Sequence, residues 1–312
     1  MASPELQALL AALRAAPDAA GQTVEQLRQA MEQGASRYPV PGDVRRTPMQ
    51  AGSVAVEWVV APGADEGAVV LLLHGGGYYR GSIATHRELA GQMSRASGAA
   101  VLAATYRLAP EHKFPAPVED ALAVYRWLLR GGADARRLAV AGNSAGGGLA
   151  LALLLALRAA GEPLPAAAVC LSPWVDLAQT GGSYGARAAE DPSLSKAYLD
   201  RAARDYLGGA DPRTPLASPL YGDLAGLPPL LIQVGTAEVL LDDSIRLADK
   251  ARAAGVDTTL EVWPEMFHVW HRHAQQLPEA RQAIAAIGDF LRAVWTGAPA
   301  GAAEREARRK RG

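Results

Sequence analysis

One serine stands in a setting that could make it a nucleophile. Gly142-Asn143-Ser144-Ala145-Gly146 fits the pattern G-x-S-x-G, with an apolar run at 138–141 leading in and a helical pattern at 145–160 leading out. A strand-turn-helix of this kind holds a serine in a sharp, strained turn and projects its hydroxyl from the carboxyl end of a sheet. Flanking glycines suit such a turn, because the neighbouring backbone must pass where a Cβ would otherwise stand. Gly147 and Gly148 carry the glycine run into the first helical turn. Each costs about 1 kcal/mol relative to alanine, which points to a constraint other than helix stability. The pentad alone is a weak signal in a chain with 32 glycines; its flanks give it weight. The chemistry expected of Ser144 is attack on an acyl carbonyl.

That attack needs donors for the oxyanion it creates. His74-Gly75-Gly76-Gly77 follows directly on the apolar run 69–73. Successive glycines leave backbone N–H groups uncovered, and a loop after a strand can aim them at an oxyanion about 3 Å away. The N–H groups of Gly75, Gly76 and Ala145 are the expected oxyanion hole. A phosphate-cradling loop would need a following Lys-Ser/Thr pair or a G-x-G-x-x-G turn into a helix, and neither is present. His74 reads as a structural anchor rather than a base. Tyr78 and Tyr79 are candidates to wall a substrate pocket, with core packing the alternative for one of them.

The base must come from six histidines, at 74, 86, 112, 268, 271 and 273. With a nucleophile elbow the chain order is serine, acid, histidine, which places the base after the last strand. The run 258–262 is followed by Trp263-Pro264-Glu265-Met266-Phe267-His268, so His268 is the expected general base. His271 and His273 lie close in sequence, but no carboxylate or cysteine falls at ligand spacing beside them, so zinc is not expected and both are read as facing outward. The acid should follow the run 230–234, where Glu238, Asp242 and Asp243 are available. Glu238 is favoured over Asp242, because Asp242 and Asp243 read as the N-cap and first turn of the next helix, where carboxylates are favoured anyway. Either could hold the imidazole tautomer and stabilise the imidazolium.

These residues need a scaffold. Strand-like runs at 54–60, 69–73, 99–105, 138–141, 166–171, 230–234 and 258–262 alternate with helical patterns at 86–97, 117–130, 145–160, 242–254 and 278–295. That alternation, with several continuously apolar strands, predicts an α/β fold with a mostly parallel sheet covered on both faces. Two amphipathic patterns, Leu6-Leu9-Leu10-Leu13 and Val24-Leu27-Met31, flank the breaker Ala16-Pro17-Asp18 and precede every strand signal. They are expected to form a cap over 1–40 on a catalytic domain spanning 41–296. The Gly/Pro/Ser/Asp-rich stretch 179–228, with a helical piece near 196–206, should leave the sheet at the ligand-binding edge and complete a lid. The basic segment 297–312 reads as a disordered tail.

Composition narrows the function further. A formal charge of -1 offers no field for nucleic acid or anionic lipid, so neither is an expected partner. Cys170, the only cysteine, sits in an apolar run and reads as packing. The N-terminus lacks the ordered regions of a signal peptide. The longest apolar stretch, 149–157, is well short of the ~20 residues a bilayer requires, and the chain is read as cytoplasmic.

Taken in order, these motifs resemble the hormone-sensitive lipase family of bacterial esterases within the α/β hydrolases. The resemblance runs from about residue 70 to 270. It rests on His74-Gly75-Gly76-Gly77 with Gly81-Ser82 and His86, Tyr106-Arg107-Leu108-Ala109-Pro110-Glu111-His112 with Phe114-Pro115-Ala116, and Gly142-Asn143-Ser144-Ala145-Gly146-Gly147. Ser172-Pro173-Trp174-Val175-Asp176-Leu177, Asp191-Pro192 and the segment around His268 complete it. It implies an α/β-hydrolase core with a helical cap, carboxylesterase activity on short acyl chains, a small-molecule ester substrate, no cofactor, and frequently a homodimer. Two positions depart from the family pattern. Asn143 stands where Asp or Thr is usual. Glu238-Val239-Leu240-Leu241-Asp242-Asp243 stands for Asp-Pro-Leu-x-Asp-Glu, which puts the family's acid on Glu238. Arg107 and Glu111 are expected to pair beneath the glycine turn, and Asp176 is a rival acid that precedes the 179–228 excursion. A lactone or amide hydrolase would use the same constellation, and a non-catalytic receptor would lack the base that His268 supplies.

Overall fold

The computed structural model describes residues 3–15 and 21–297. The breaker Ala16-Pro17-Asp18 and the tail beyond Gly297 lie outside the described residues. Two helices come first, α1 (Pro4–Arg14) and α2 (Val24–Ala35). Each starts where a side chain satisfies an orphan N–H: Ser3 accepts from the Leu6 N–H, and Thr23 forms a reciprocal capping box with Gln26. The strands are β1 (Arg45–Ala51), β2 (Val54–Val60), β3 (Asp65–Leu73), β4 (Ala99–Ala104), β5 (Leu138–Asn143), β6 (Ala167–Leu171), β7 (Leu230–Gly235) and β8 (Thr258–Trp263). Between and after them lie α3 (Ile83–Ser97), α4 (Ala116–Arg130), α5 (Ala145–Ala159), α6 (Ser183–Ala186), α7 (Lys196–Leu207), α8 (Leu241–Ala253) and α9 (Pro278–Thr296).

The strands form one eight-stranded sheet in the order β1-β2-β4-β3-β5-β6-β7-β8. β1 and β2 pair antiparallel, as do β2 and β4, and every later pair is parallel. Residues of β4, β5, β6 and β7 are buried throughout, as expected of strands covered on both faces. The seven expected strands and the helices between them are present with ends shifted by a few residues. β1 has no counterpart in the sequence reading. Its residues, Arg-Arg-Thr-Pro-Met-Gln-Ala, are mostly exposed and include Pro48, so neither an apolar run nor alternation marks it. It is ordered by its hairpin with β2, turned at Gly52 with φ 68°.

Two topological facts place the site. After β3 the chain passes through α3 to β4 on one side, then through α4 to β5 on the other, so the strand order reverses at β3. Parallel α/β sheets bind ligands in the crevice outside the carboxyl ends of strands at such a reversal. In register, Leu73 pairs with Gly142, Asn143 with Leu171, and Gly235 with Trp263, so the loops after β3, β5, β6, β7 and β8 open on that one edge. The N-terminal helices dock on the core: Leu6 is buried with residues of α3 and α9, and Leu27 with Tyr79, Leu199 and Ala203. The 179–228 excursion contains α6, α7 and a short 3-10 turn (Pro219–Tyr221), with no strand among the described residues.

Candidate active site

Ser144 stands between β5 and α5 at φ 55° and ψ -122°. That is a costly conformation for a residue with a Cβ, and the surrounding packing enforces it. Its N–H donates to the Leu171 carbonyl of β6 at 2.8 Å, and its own carbonyl accepts from the N–H groups of Gly147, Gly148 and Trp174. The glycines are explained by contact. A Cβ on Gly142 would collide with the Gly146 carbonyl, and one on Gly146 with the Leu73 carbonyl; one on Gly148 would strike the Trp174 carbonyl. The cost of glycine in the first helical turn is thus offset by bringing three backbone segments together.

His268 follows β8 and shares with Ser144 the wall of one cavity of about 250 Å³. Its Nδ1 is 2.8 Å from Oε2 of Glu238, which is fully buried in the turn after β7. A carboxylate oxygen accepts, so Nδ1 carries the hydrogen and Nε2 presents a lone pair. Glu238 is itself fixed: Oε1 accepts from the Gly235 N–H at 2.7 Å and from the Ser172 hydroxyl at 2.8 Å. Ser172 also accepts from the Val269 N–H at 3.2 Å, tying the histidine turn to the end of β6. The Val239 N–H, next to Glu238, donates to Asp191 at 3.0 Å. Ser172 received no role from sequence reasoning. Its position at a strand end beside Pro173 is the only signal it gives.

The other carboxylates point elsewhere. Asp242 accepts from the Ser183 N–H. Asp243 accepts from the N–H groups of Val175 and Asp176 and from the Tyr184 hydroxyl; burial, reinforced by Asp176, pushes its carboxyl up to about 8. The helix N-cap is Leu240 rather than Asp242, with both aspartates in the first turn of α8. Asp176 accepts from Thr180, Tyr221 and Arg246. Of the candidate acids, only Glu238 meets the imidazole.

The glycine loop differs from expectation at one residue. The Gly75 N–H is already engaged, donating to Asn143 Oδ1 at 3.0 Å and to His86 Nε2 at 3.2 Å. It therefore cannot serve as an oxyanion donor. The buried amide of Asn143 thus ties the glycine loop to the turn that carries Ser144. Gly76 and Gly77, at φ 126° and 64°, turn the backbone onward, and their N–H groups and that of Ala145 donate to no protein acceptor among the described residues. Both glycines and Ser144 line the cavity. His74 is an anchor, buried, stacked on Tyr106 at 4.2 Å and held down to about 4 by burial.

Tyr78 and Tyr79 do not line the cavity. Tyr78 is buried against Tyr206, with ring centroids 3.8 Å apart, and Tyr79 packs beside Tyr198. The expected Arg107–Glu111 pair is also absent. Arg107 binds Asp120 and Glu119, while Glu111 receives Arg28 of α2, which also donates to the Tyr79 and Ala109 carbonyls. A helix remote in sequence therefore braces this loop. His271 and His273 are buried rather than outward, because their turn is packed between α3 and α9. His271 meets Gln233 at 2.8 Å and His273 meets Tyr38 at 3.1 Å; among the described residues no three His, Cys, Asp or Glu side chains gather as a metal site. Cys170 is buried in β6, its thiol pushed up to about 12 by burial. The cavity walls include Leu13 of α1, Met31 of α2, and Tyr198 and Leu199 of α7.

Residues 70–272 match the family model described as alpha/beta hydrolase fold. An acetyl-hydrolase of Streptomyces hygroscopicus is 50% identical over 94% of this chain and 97% of its own, and an esterase of Acinetobacter venetianus is 34% identical over 85% and 87%. Among solved structures, an esterase from the bacterial hormone-sensitive lipase family superposes with a TM-score of 0.90 at 51% identity, covering 94% of this chain and 98% of that one. A hormone-sensitive lipase from a metagenome library superposes at 0.89 with 39% identity, over 93% and 97%. No helix among the described residues is long and apolar enough to cross a membrane. With a family model covering residues 70–272 and relatives that are esterases matched along most of their length, the chain belongs to the hormone-sensitive lipase family of α/β hydrolases and is a carboxylic ester hydrolase.

Proposed function

We propose that the chain hydrolyses short-chain acyl esters through a Ser144-His268-Glu238 triad, with the N–H groups of Gly76, Gly77 and Ala145 as the oxyanion hole. Ser144 Oγ bonds to the ester carbonyl carbon while its proton passes to His268 Nε2. The carbonyl oxygen becomes the oxyanion that the three N–H groups receive. Collapse breaks the bond to the alcohol oxygen, which takes the proton from His268. Water then attacks the acyl-enzyme, giving a proton to His268, and the second collapse returns it to Ser144 and releases the carboxylic acid. Glu238 holds the imidazole in the accepting tautomer and stabilises the imidazolium.

The observation that carries this reading is the 2.8 Å contact between His268 Nδ1 and a fully buried Glu238, on a ring that shares the Ser144 cavity. A volume of about 250 Å³, bounded by Leu13, Met31, Leu194 and Leu199, favours short acyl groups. The 1–40 helices and the 179–228 excursion act as a cap that fixes this volume. Hydrolysis of p-nitrophenyl esters from C2 to C12 tests the proposal. Rates should peak among the shortest chains, and Ser144→Ala should remove all but a trace of turnover. A preference for C10 or longer would refute the short-chain reading.

A further inference from the structure

Two guanidinium groups line the Ser144 cavity and take no part in the hydrolytic cycle. Arg80 lies just beyond the glycine turn and Arg272 just beyond His268. Nε of Arg80 is shielded from solvent and has no hydrogen-bond partner among the described residues. Its guanidinium lies over the rings of Tyr198 and Tyr79, at 5.1 and 5.5 Å from their centroids. Among the described residues the Arg272 side chain makes a single hydrogen bond, to the Thr85 carbonyl at 3.3 Å. Most other buried or half-buried arginines here, such as Arg28, Arg87 and Arg246, meet a carboxylate within 3.0 Å. Arg80 and Arg272 meet none among the described residues.

The groups around them do not supply the missing charge. Glu238 is held by His268, Gly235 and Ser172. Asp191 is occupied by the N–H groups of Ser193, Leu194 and Val239. Glu88 bonds to Gln92, and burial raises its carboxyl, weakening it as a counter-ion. Tyr38 and His273 bond to each other, and burial holds that imidazole down to about 4, so it is neutral. Burial disfavours the charge on Arg272 and Arg80 repels it; the attraction of Glu88, which makes no hydrogen bond to it, offsets this only in part. A desolvated cation without a bonded carboxylate, as Arg272 is, is costly, and with Arg80 on the same cavity it is stabilised when an anion enters. The planar guanidinium fork fits carboxylate and phosphorus oxyanions.

We propose that Arg80 and Arg272 receive an oxyanion group of the substrate, so that the preferred esters carry a carboxylate or a phosphorus acid beside the scissile ester. This rests on the esterase reading above, and the test separates the two. The p-nitrophenyl ester of glutaric acid is compared with its neutral isostere, p-nitrophenyl valerate, and with an ω-phosphonoacyl analogue. Wild type should favour the anionic esters in kcat/KM by about tenfold or more. Arg80→Gln and Arg272→Gln should each lower that anionic-to-neutral ratio, with Lys variants intermediate, and added salt should lower it as well. Whichever oxyanion gives the higher ratio identifies the class. A purely structural role for the arginines would change all the esters in proportion, leaving the ratio fixed. A wild-type ratio of one or below, or a ratio unmoved by both Gln variants, would overturn the proposal. Calorimetry on Ser144→Ala with monomethyl glutarate and methyl valerate reads the same preference without turnover. If none of these esters is hydrolysed, the short-chain triad reading fails, and this binding difference still decides the anion site.

Discussion

Glu238→Gln removes the charge of the proposed acid while keeping its shape, and the structure dictates how the amide must sit. Oε1 of Glu238 faces the Gly235 N–H at 2.7 Å, and that group can only donate. In the glutamine, the carbonyl oxygen must therefore take the Oε1 position and the NH2 must face His268. The opposite orientation would set two donors against each other in a fully buried site, costing about 1–3 kcal/mol for the unsatisfied pair. A change of imidazole tautomer costs less, so the first orientation wins. An NH2 facing Nδ1 then forces the hydrogen onto Nε2, and that tautomer cannot accept the proton of Ser144. The expected loss is about 10⁴-fold in kcat, or about 5 kcal/mol of transition-state stabilisation. The assay is hydrolysis of p-nitrophenyl butyrate at pH 7–8, with circular dichroism to confirm the fold. Asp242→Asn, which disturbs only the bond from the Ser183 N–H, should change kcat little. Near-normal kcat in Glu238→Gln together with a loss of several orders in Asp242→Asn would refute the assignment.

Asn143→Ala deletes the nearer of the two acceptors that hold Gly75, loosening the loop that presents Gly76 and Gly77. Stopped assays should show kcat falling by about 10- to 10³-fold with KM nearly constant, since the affected donors act on the oxyanion alone. Stability should also depend on pH. His74, His271 and His273 are held down to about 4, about 3 and about 4 by burial, and His86 is lowered too. Between the ordinary histidine range and pH 4 the unfolded chain binds these protons and the native one does not, so stability falls as pH drops through that window. Asp243, pushed up to about 8, works in the opposite sense, as do Asp191 and Glu88, but the four imidazoles outnumber these three carboxyls and leave a net proton uptake on unfolding near pH 5. A thermal midpoint that does not fall between pH 6.5 and 4.5 would contradict this.

Ser144, His268 and the sheet were legible because each leaves a local mark. A continuous apolar strand, a glycine-flanked serine and a helix pattern are short-range features, and chain order places the histidine. β1 was not legible, because an exposed edge strand needs no apolar pattern and takes its order from β2. Chain order and spacing favoured Glu238, but its exclusive contact with His268 depended on where Asp176, Asp242 and Asp243 found partners.

The sequence by itself therefore determined the fold class and the chemistry, since periodicity and local turns encode both. Tertiary structure decided how each polar group is used. Gly75 gave up its N–H to Asn143 and His86; Tyr78 and Tyr79 turned into the core; Arg28, from a helix far upstream, took the partner expected for Arg107. Hydrogen bonds are assigned by competition among all the donors and acceptors that packing brings within about 3 Å, and that set exists only in the folded chain.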